Sequence, residues 1–328
     1  MENFWENRNV LITGANGFLA GWMSKALVDK GANLSALVYE GNPISVFETD
    51  QLHAKSRMIQ SDILDLNAIK QILHNNKIQT VFHLGAQAIC KTAIADPIST
   101  LDANIRGTIN VLEAVRTVDP TIELVNASSD KAYGIHEDLP YHEHYPLRGE
   151  FPYEVSKSCA DLISQMYYKT YNIPVCIVRS GNLYGGGDSH FSRIFPNTIR
   201  RVYSDMPPLL VNNSIRDYLY VQDAVDGYLM IGENVSRFPG EAFNLGHGKP
   251  IPVMDILTGV TQAMNKSHLT PVQSETKHIE IPSQHLSSAK IKSMLGWEPV
   301  VNLDQGLPLT VDWYCKYFDA NRPEIFKD

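Results

Sequence analysis

Cysteine is scarce in this chain: four in 328 residues, Cys90, Cys159, Cys176 and Cys315. None stands in a CxxC spacing, so neither a zinc framework nor a disulfide framework is expected, and a reducing compartment is. No apolar run approaches the roughly 18 to 20 residues that cross a bilayer. The N-terminal stretch "MENFWENRNVLITG" has no basic segment ahead of an apolar one, so no signal peptide is expected and a cytoplasmic location is. Positive charge is also short, with 28 Lys and Arg against 36 Asp and Glu and a net charge of -8. That balance argues against a general nucleic-acid binder, though not against a phosphate ligand held by a few arginines. Low-complexity tracts and fixed-period repeats are missing too. What remains is ordinary globular composition, 44% hydrophobic and 20% charged, in a chain long enough for a large core.

The first half alternates. "NVLIT", "NLSALVY", "SRMIQSD", "TVFHLGAQ", "IELVNASS" and "IPVCIVRS" read as strands. Between them, "LAGWMSKALVDKG", "LNAIKQILHNN", "NIRGTINVLEAVRTV" and "YEVSKSCADLISQMYYKTY" carry helical periodicity. Continuous apolar strands separated by amphipathic helices predict βαβ units and an α/β fold of Rossmann type, a doubly wound parallel sheet covered on both faces. After "GNLYGGGDS" the alternation weakens. Residues 1–181 are therefore read as the dinucleotide-binding domain and 182–328 as a smaller mixed α/β lobe, partly interleaved with the first.

"TGANGFLA" lies directly between the first strand and the first helix. Gly14 permits the tight turn, Gly17 lets a pyrophosphate approach the backbone, and the helix N-terminus offers free N–H groups. Gly14, Asn16, Gly17, Phe18 and Leu19 are thus candidate cofactor contacts. Ala20 stands where the usual pattern has a third glycine, which should loosen helix–strand packing slightly. Glu40 is the candidate for the ribose hydroxyls, with Tyr39 as the competing register. No arginine lies between Leu34 and Pro43, which favours NAD over NADP. Asp62 and Ile63, past the third strand, would lie by the adenine.

"YEVSK" sets Tyr153 and Lys157 four apart, on one helix face. A free tyrosine titrates near about 10. An adjacent ammonium and a positively charged nicotinamide would lower that value, and the phenolate could then accept a hydroxyl proton. The plain alternative is a surface Tyr/Lys pair.

With "HLGAQ", "NIRGTINVLEAV", "SSDKAYG", "GNLYGGGD", "RDYLYV" and "LGWEP" added, the chain resembles the extended short-chain dehydrogenase/reductases that act on nucleotide-activated sugars, over residues 10 to about 300. The resemblance implies NAD, a nucleotide-diphosphate sugar as substrate, no metal, and Leu84, Ala86 and Ser128 as further cofactor contacts. It implies Ser129 as the hydroxyl that bonds the reacting sugar oxygen. Family 4-epimerases resemble "SSAAVYG" at this point, whereas dehydratases carry an acid–base pair there. Here the pair is Asp130 and Lys131, which resembles the CDP-glucose 4,6-dehydratases and implies Asp130 as an acid with a raised pKa. In a fully extended chain Asp130 would point away from Ser129 and Lys131, so the chain must turn. Lys131 is then either a base or a substrate anchor, and a salt-paired loop without a chemical role is the third possibility. "RDYLYV" and Asn197 in "FSRIFPN" depart from that subgroup. By the same resemblance Gln87, Asn182, Arg193 and Arg216 contact substrate. Two helices, Asn104–Val118 and Tyr153–Tyr171, would build a homodimer interface. His136, His142 and His144 cluster in sequence but lack metal-ligand spacing. A nucleotide-sugar epimerase or reductase, and a non-catalytic NAD-binding regulator, remain the competing functions.

Overall fold

Along the first strand, Val10 and Ile12 face one apolar cluster while Leu11 faces another. A strand that is apolar on both faces must be covered on both, which selects the centre of a parallel sheet. The computed structural model describes residues 3–274 and 281–325. Its strands are β1 (Asn9–Thr13), β2 (Asn33–Val38), β3 (Arg57–Gln60), β4 (Thr80–His83), β5 (Glu123–Ser129), β6 (Val175–Ser180), β7 (Asn182–Tyr184), β8 (Leu209–Leu210), β9 (Ile215–Tyr220), β10 (Ala242–Leu245), β11 (Pro250–Pro252) and β12 (Val272–Gln273).

Seven strands form the main sheet in the order β10–β6–β5–β4–β1–β2–β3, every pair parallel. The α/β Rossmann-type expectation holds. Strand order reverses between β1 and β4, and in such sheets a ligand crevice opens beyond the carboxyl ends at that switch. Thr13, His83, Ser129 and Ser180 all end strands on this rim.

The second lobe is interwoven with the first. After β6 the chain builds a three-stranded sheet, β11–β9–β7. The helix Val221–Gly232 then packs Val225, Tyr228 and Leu229 onto the main core, and β10 pairs beside β6. A separate aromatic core, including Tyr184, Phe195, Tyr218 and Tyr220, supports the outer part. Among the described residues no helix is long and apolar enough to cross a membrane.

Candidate active site

The glycine loop makes a tight, uncapped entry into the first helix. Gly14 has φ +66, and a Cβ there would lie 2.8 Å from the Gly85 Cα, so the turns after β1 and β4 touch backbone to backbone. Thr13 ties them: its Oγ1 accepts hydrogen bonds from Leu84 N at 3.1 Å and Gly85 N at 2.9 Å. The helix Phe18–Asp29 starts from Gly17 with no side-chain cap, leaving its first N–H groups and positive dipole end to a ligand anion. Leu19 packs on the core beneath. Ala20 is buried there as well, and the close helix approach falls instead at Gly21, whose Cβ would lie 3.1 Å from Phe47 N. These are features that fit a dinucleotide. Gly14→Ala is expected to cost about 1–3 kcal/mol in backbone strain alone. It should also lower affinity for NAD more than about tenfold, both readable by thermal denaturation and calorimetric titration.

The loops after β2 and β3 are ordered by backbone pins. Asn16, itself buried, donates from Nδ2 to the Glu40 carbonyl, and Asn42 Nδ2 donates to Asn16 O at 2.8 Å. The Glu40 side chain is exposed past the end of β2, as is that of Tyr39. Asp62 Oδ1 accepts from Leu64 N at 2.9 Å. Asn110 Nδ2 donates to Ile63 O at 3.0 Å and Leu64 O at 2.9 Å, while Gly107 lets the helix Gly107–Val118 pass against the Ile63 side chain.

At the carboxyl end of β5 the chain does turn. Asp130–Tyr133 form one 3₁₀ turn, ended by Gly134 at φ +68, where a Cβ would sit 2.0 Å from Arg148 O. The extended geometry that would separate Asp130 from Ser129 and Lys131 does not occur. Ser129 Oγ donates to Asp130 Oδ1 at 3.1 Å, and Lys131 Nζ reaches the same oxygen at 3.3 Å. Lys131 Nζ also donates to Asn182 Oδ1 at 3.0 Å, joining two residues singled out separately in the sequence. Asp130 is fully buried, and its Oδ2 has no hydrogen-bond partner among the described residues. A buried carboxylate oxygen without a donor is costly, so Oδ2 is left open to a donor from outside the chain. Ser128 Oγ is likewise buried and unpartnered.

Opposite stands the helix Pro152–Tyr171, begun by Pro152 at its first turn. Tyr153 and Lys157 are both buried, and Lys157 Nζ donates to Ala127 O at 2.9 Å. The Ser129 hydroxyl acts to lower the Tyr153 phenol. One expectation is corrected here. Tyr153 is not lowered by its own chain: burial pushes it up, the charges of Cys90 and Asp130 add to the rise, and Arg193 and Ser129 only partly offset it. Lys157 is itself pulled down to about 8 by burial. A net lowering of Tyr153 therefore needs charge that a ligand brings, beyond what Arg193 and Ser129 supply.

The expected substrate contacts divide. Asn182 faces the Lys131 side. Arg193 is one-third exposed, pairs with Asp188 at 3.0 Å and acts on Tyr153 by its charge. Arg216 is buried, and its Nη1 donates to Ile215 O at 2.9 Å and Pro282 O at 3.4 Å. Gln87 meets the expectation of a ligand contact with a side chain already committed. Its Nε2 donates to Ile89 O and Thr100 Oγ1, both at 3.0 Å, and its Oε1 accepts from Ile89 N. It braces its own loop. His136 Nε2 contacts Tyr133 O, and the rings of His142 and His144 stack at 5.6 Å. Among the described residues no group of three His, Cys, Asp or Glu side chains could hold a metal.

Three contributors stand within quoted motifs, "NIRGTINVLEAV", "HLGAQ" and "RDYLYV", but were not singled out as site residues. Asn104 sits in a π-helical turn, Asp102–Arg106, ahead of Gly107–Val118. Its side chain exchanges hydrogen bonds with the Gln87 backbone at 2.8 and 2.9 Å and donates to Ser156 Oγ at 2.9 Å. His83 bridges Thr13 at 2.8 Å and Thr108 at 3.2 Å, and burial with the nearby Lys157 charge holds it near about 3, so it is neutral. Asp217 is buried and accepts from the N–H groups of His247, Gly248 and Leu286, while burial pushes it up to about 6. Pi-turns and buried polar residues of this kind are set by packing partners far away in the chain.

Residues 11–310 match the family described as GDP-mannose 4,6 dehydratase. The chain is 28% identical to a CDP-glucose 4,6-dehydratase of Salmonella typhimurium, covering 95% of this chain and 92% of that protein. A dTDP-glucose 4,6-dehydratase from Bacillus anthracis, solved in complex with NAD, superposes with a TM-score of 0.86 at 23% identity, over 96% of this chain and 99% of that one. A UDP-glucose 4-epimerase of Thermotoga maritima, solved with UDP-glucose, superposes with a TM-score of 0.82 at 24% identity, over 94% and 99%.

Proposed function

The chain belongs to the GDP-mannose 4,6 dehydratase family, and from that premise we propose that it is an NAD-dependent nucleotide-sugar 4,6-dehydratase, with a CDP-hexose as the favoured substrate. The observation that carries this reading is the buried Asp130, bonded to Ser129 and Lys131 and with one oxygen unpartnered, beside the Tyr153–Lys157 helix. An epimerase needs no such pair, because oxidation, ring rotation and reduction complete its reaction. The CDP preference rests on the Asp–Lys identity of the pair and on the Salmonella relative.

In this reading residues 1–181 hold the cofactor and 182–328 the nucleotide sugar. Gly14, Gly17 and the open helix end take the pyrophosphate, Glu40 the ribose, Asp62 and Ile63 the adenine side, and Leu84, Ala86 and Ser128 the rest of the crevice. NAD, when bound, takes a hydride from the sugar and later returns it. Tyr153 accepts the 4-hydroxyl proton, helped by the Ser129 hydroxyl and the Lys157 ammonium. The ketone so formed at carbon 4 acidifies carbon 5. A base removes that proton while Asp130 protonates the 6-hydroxyl that leaves as water, and Lys131 serves either as that base or as an anchor for the substrate. Return of a proton to carbon 5 from the base, with the hydride that bound NAD would supply at carbon 6, completes a 4-keto-6-deoxy sugar with no net redox change. Asn182, Arg193 and Arg216 hold the sugar and diphosphate.

We also assign a homodimer through the helices Gly107–Val118 and Pro152–Tyr171, the second of which exposes Leu162 and Met166. The four free cysteines suit a reducing cytoplasm.

Incubation with CDP-, dTDP-, GDP- and UDP-hexoses, read by mass spectrometry, tests the reading. Loss of one water from the CDP-hexose, with no net cofactor reduction, is the expected result. Unchanged mass with an inverted stereocentre would move the assignment to an epimerase.

A further inference from the structure

We propose that Arg179 and Tyr133 form a positioning hub that sets where the Asp130–Lys131 turn stands relative to the Tyr153–Lys157 helix. The proposal deepens the dehydratase reading and rests on it for its kinetic consequence.

Arg179 is buried near the end of β6. Its guanidinium forks onto one carboxylate: Nε donates to Asp161 Oδ2 at 2.8 Å and Nη2 to Asp161 Oδ1 at 3.0 Å. Asp161 lies one turn past Lys157 on the same helix. The remaining nitrogen, Nη1, donates to Tyr133 OH at 2.8 Å and to Glu143 O at 2.9 Å. Tyr133 is the last residue of the turn that begins at Asp130. Its hydroxyl donates in turn to Asn244 Oδ1 at 2.7 Å, on β10. Asn244 is itself anchored: N donates to Glu143 Oε1 at 2.9 Å and Nδ2 to Tyr141 O at 3.0 Å. Tyr141 OH donates to Gly134 O at 2.6 Å, holding the residue that ends the turn.

The bonds form a chain from the helix, through Arg179, into both ends of the Tyr133–Gly134 step. Arg179, Asp161, Tyr133 and Asn244 are all buried, and the one positive charge is matched by the Asp161 carboxylate. A satisfied buried network of this kind defines a single geometry. The planar fork adds direction, because two parallel bonds to Asp161 orient Nη1 toward Tyr133. Burial also raises Tyr133, so its phenol keeps the proton that it donates to Asn244. A second tie runs directly from the helix, Ser158 Oγ to Ala132 O at 2.9 Å. That bond fixes the middle of the turn, and the hub fixes its rotation. None of the hub residues belongs to the groups proposed to touch sugar or cofactor. They act through the placement of Asp130 and Lys131, where a displacement of about 1 Å costs roughly a hundredfold in rate.

Tyr133→Phe removes one hydroxyl and keeps the ring in the core. Two half-reactions are read: reduction of bound cofactor in a single turnover, which uses Tyr153 and Lys157, and loss of water, which uses Asp130 and Lys131. Water loss is expected to fall roughly 10- to 100-fold while cofactor reduction stays within about threefold. Amide exchange in residues 129–136 should quicken, with residues 152–171 unchanged. Arg179→Lys, which keeps the charge and loses the fork, should repeat the pattern; should it not fold, Tyr133→Phe decides alone. Equal losses in both half-reactions together with a lower Tm would reduce the hub to ordinary core packing and overturn the proposal, as would no change in either. If the unaltered protein removes water from no nucleotide sugar, the dehydratase reading falls, and amide exchange decides the hub by itself: exchange quickened only in 129–136 supports it, and unchanged exchange sinks it.

Discussion

Tyr153→Phe is expected to abolish turnover, lowering kcat by roughly a thousandfold, in the range that loss of a positioned acid–base group produces. NAD affinity should stay within about twofold, because on the proposed reading the glycine loop and helix end supply most of the cofactor's anchoring. The size of the effect follows from the site. Burial raises Tyr153, so the protein alone holds it as a phenol, and the proton acceptor exists only once cationic charge stands next to it. Within the chain Arg193 is the cation that acts on it, and a ligand has to bring the rest.

Lys157 carries a linked stability prediction. Its folded value lies below the unfolded 10.5. The unfolded chain thus binds more protons between about pH 8 and 10.5, and stability rises with pH across that window. At pH 7 both states are protonated and the whole penalty is present, about 3 kcal/mol. Lys157→Met removes it and leaves the Ala127 carbonyl without its donor, which costs about 1–2 kcal/mol. The variant should be inactive yet about 1–2 kcal/mol more stable near neutral pH, measurable by denaturant midpoint. A less stable, inactive variant would show that the hydrogen bond outweighs the burial of charge.

Asp130→Asn is expected to separate the two halves of the reaction. Asn keeps the volume and an acceptor for Ser129 and Lys131, but it cannot give a proton to the departing hydroxyl. Water loss should fall roughly a thousandfold. Oxidation at carbon 4 should persist, so reduced cofactor accumulates and its near-ultraviolet absorbance rises on adding substrate. The partial rise is the informative result: a protein in which Asp130 is a mere salt-bridge partner would lose neither half. Lys131→Met extends the test. A fall in kcat with little change in KM marks Lys131 as the base, while a raised KM at constant kcat marks it as a substrate anchor through Asn182.

The strands, the glycine loop and the Tyr153–Lys157 spacing were legible in the chain because each is local. Alternation, a tight turn and an i,i+4 pair depend on residues within a few positions of one another, and backbone sterics and helix pitch then dictate their geometry. "NVLIT" became β1 to the residue, and the two glycines of "TGANGFLA" took up the turn and the helix start. Resemblance pointed to Asp130 and Lys131, but alternation alone would have set them on opposite faces. Tertiary contact reversed that: Gly134 packs on Arg148, the chain coils into a 3₁₀ turn, and both side chains come to Ser129 and Asn182. The upward shift of Tyr153, the commitment of Gln87, the pairing of β10 beside β6 and the Arg179–Tyr133 hub were likewise settled only in three dimensions. Each depends on burial, or on partners tens of residues away, and neither quantity is carried by a residue and its near neighbours.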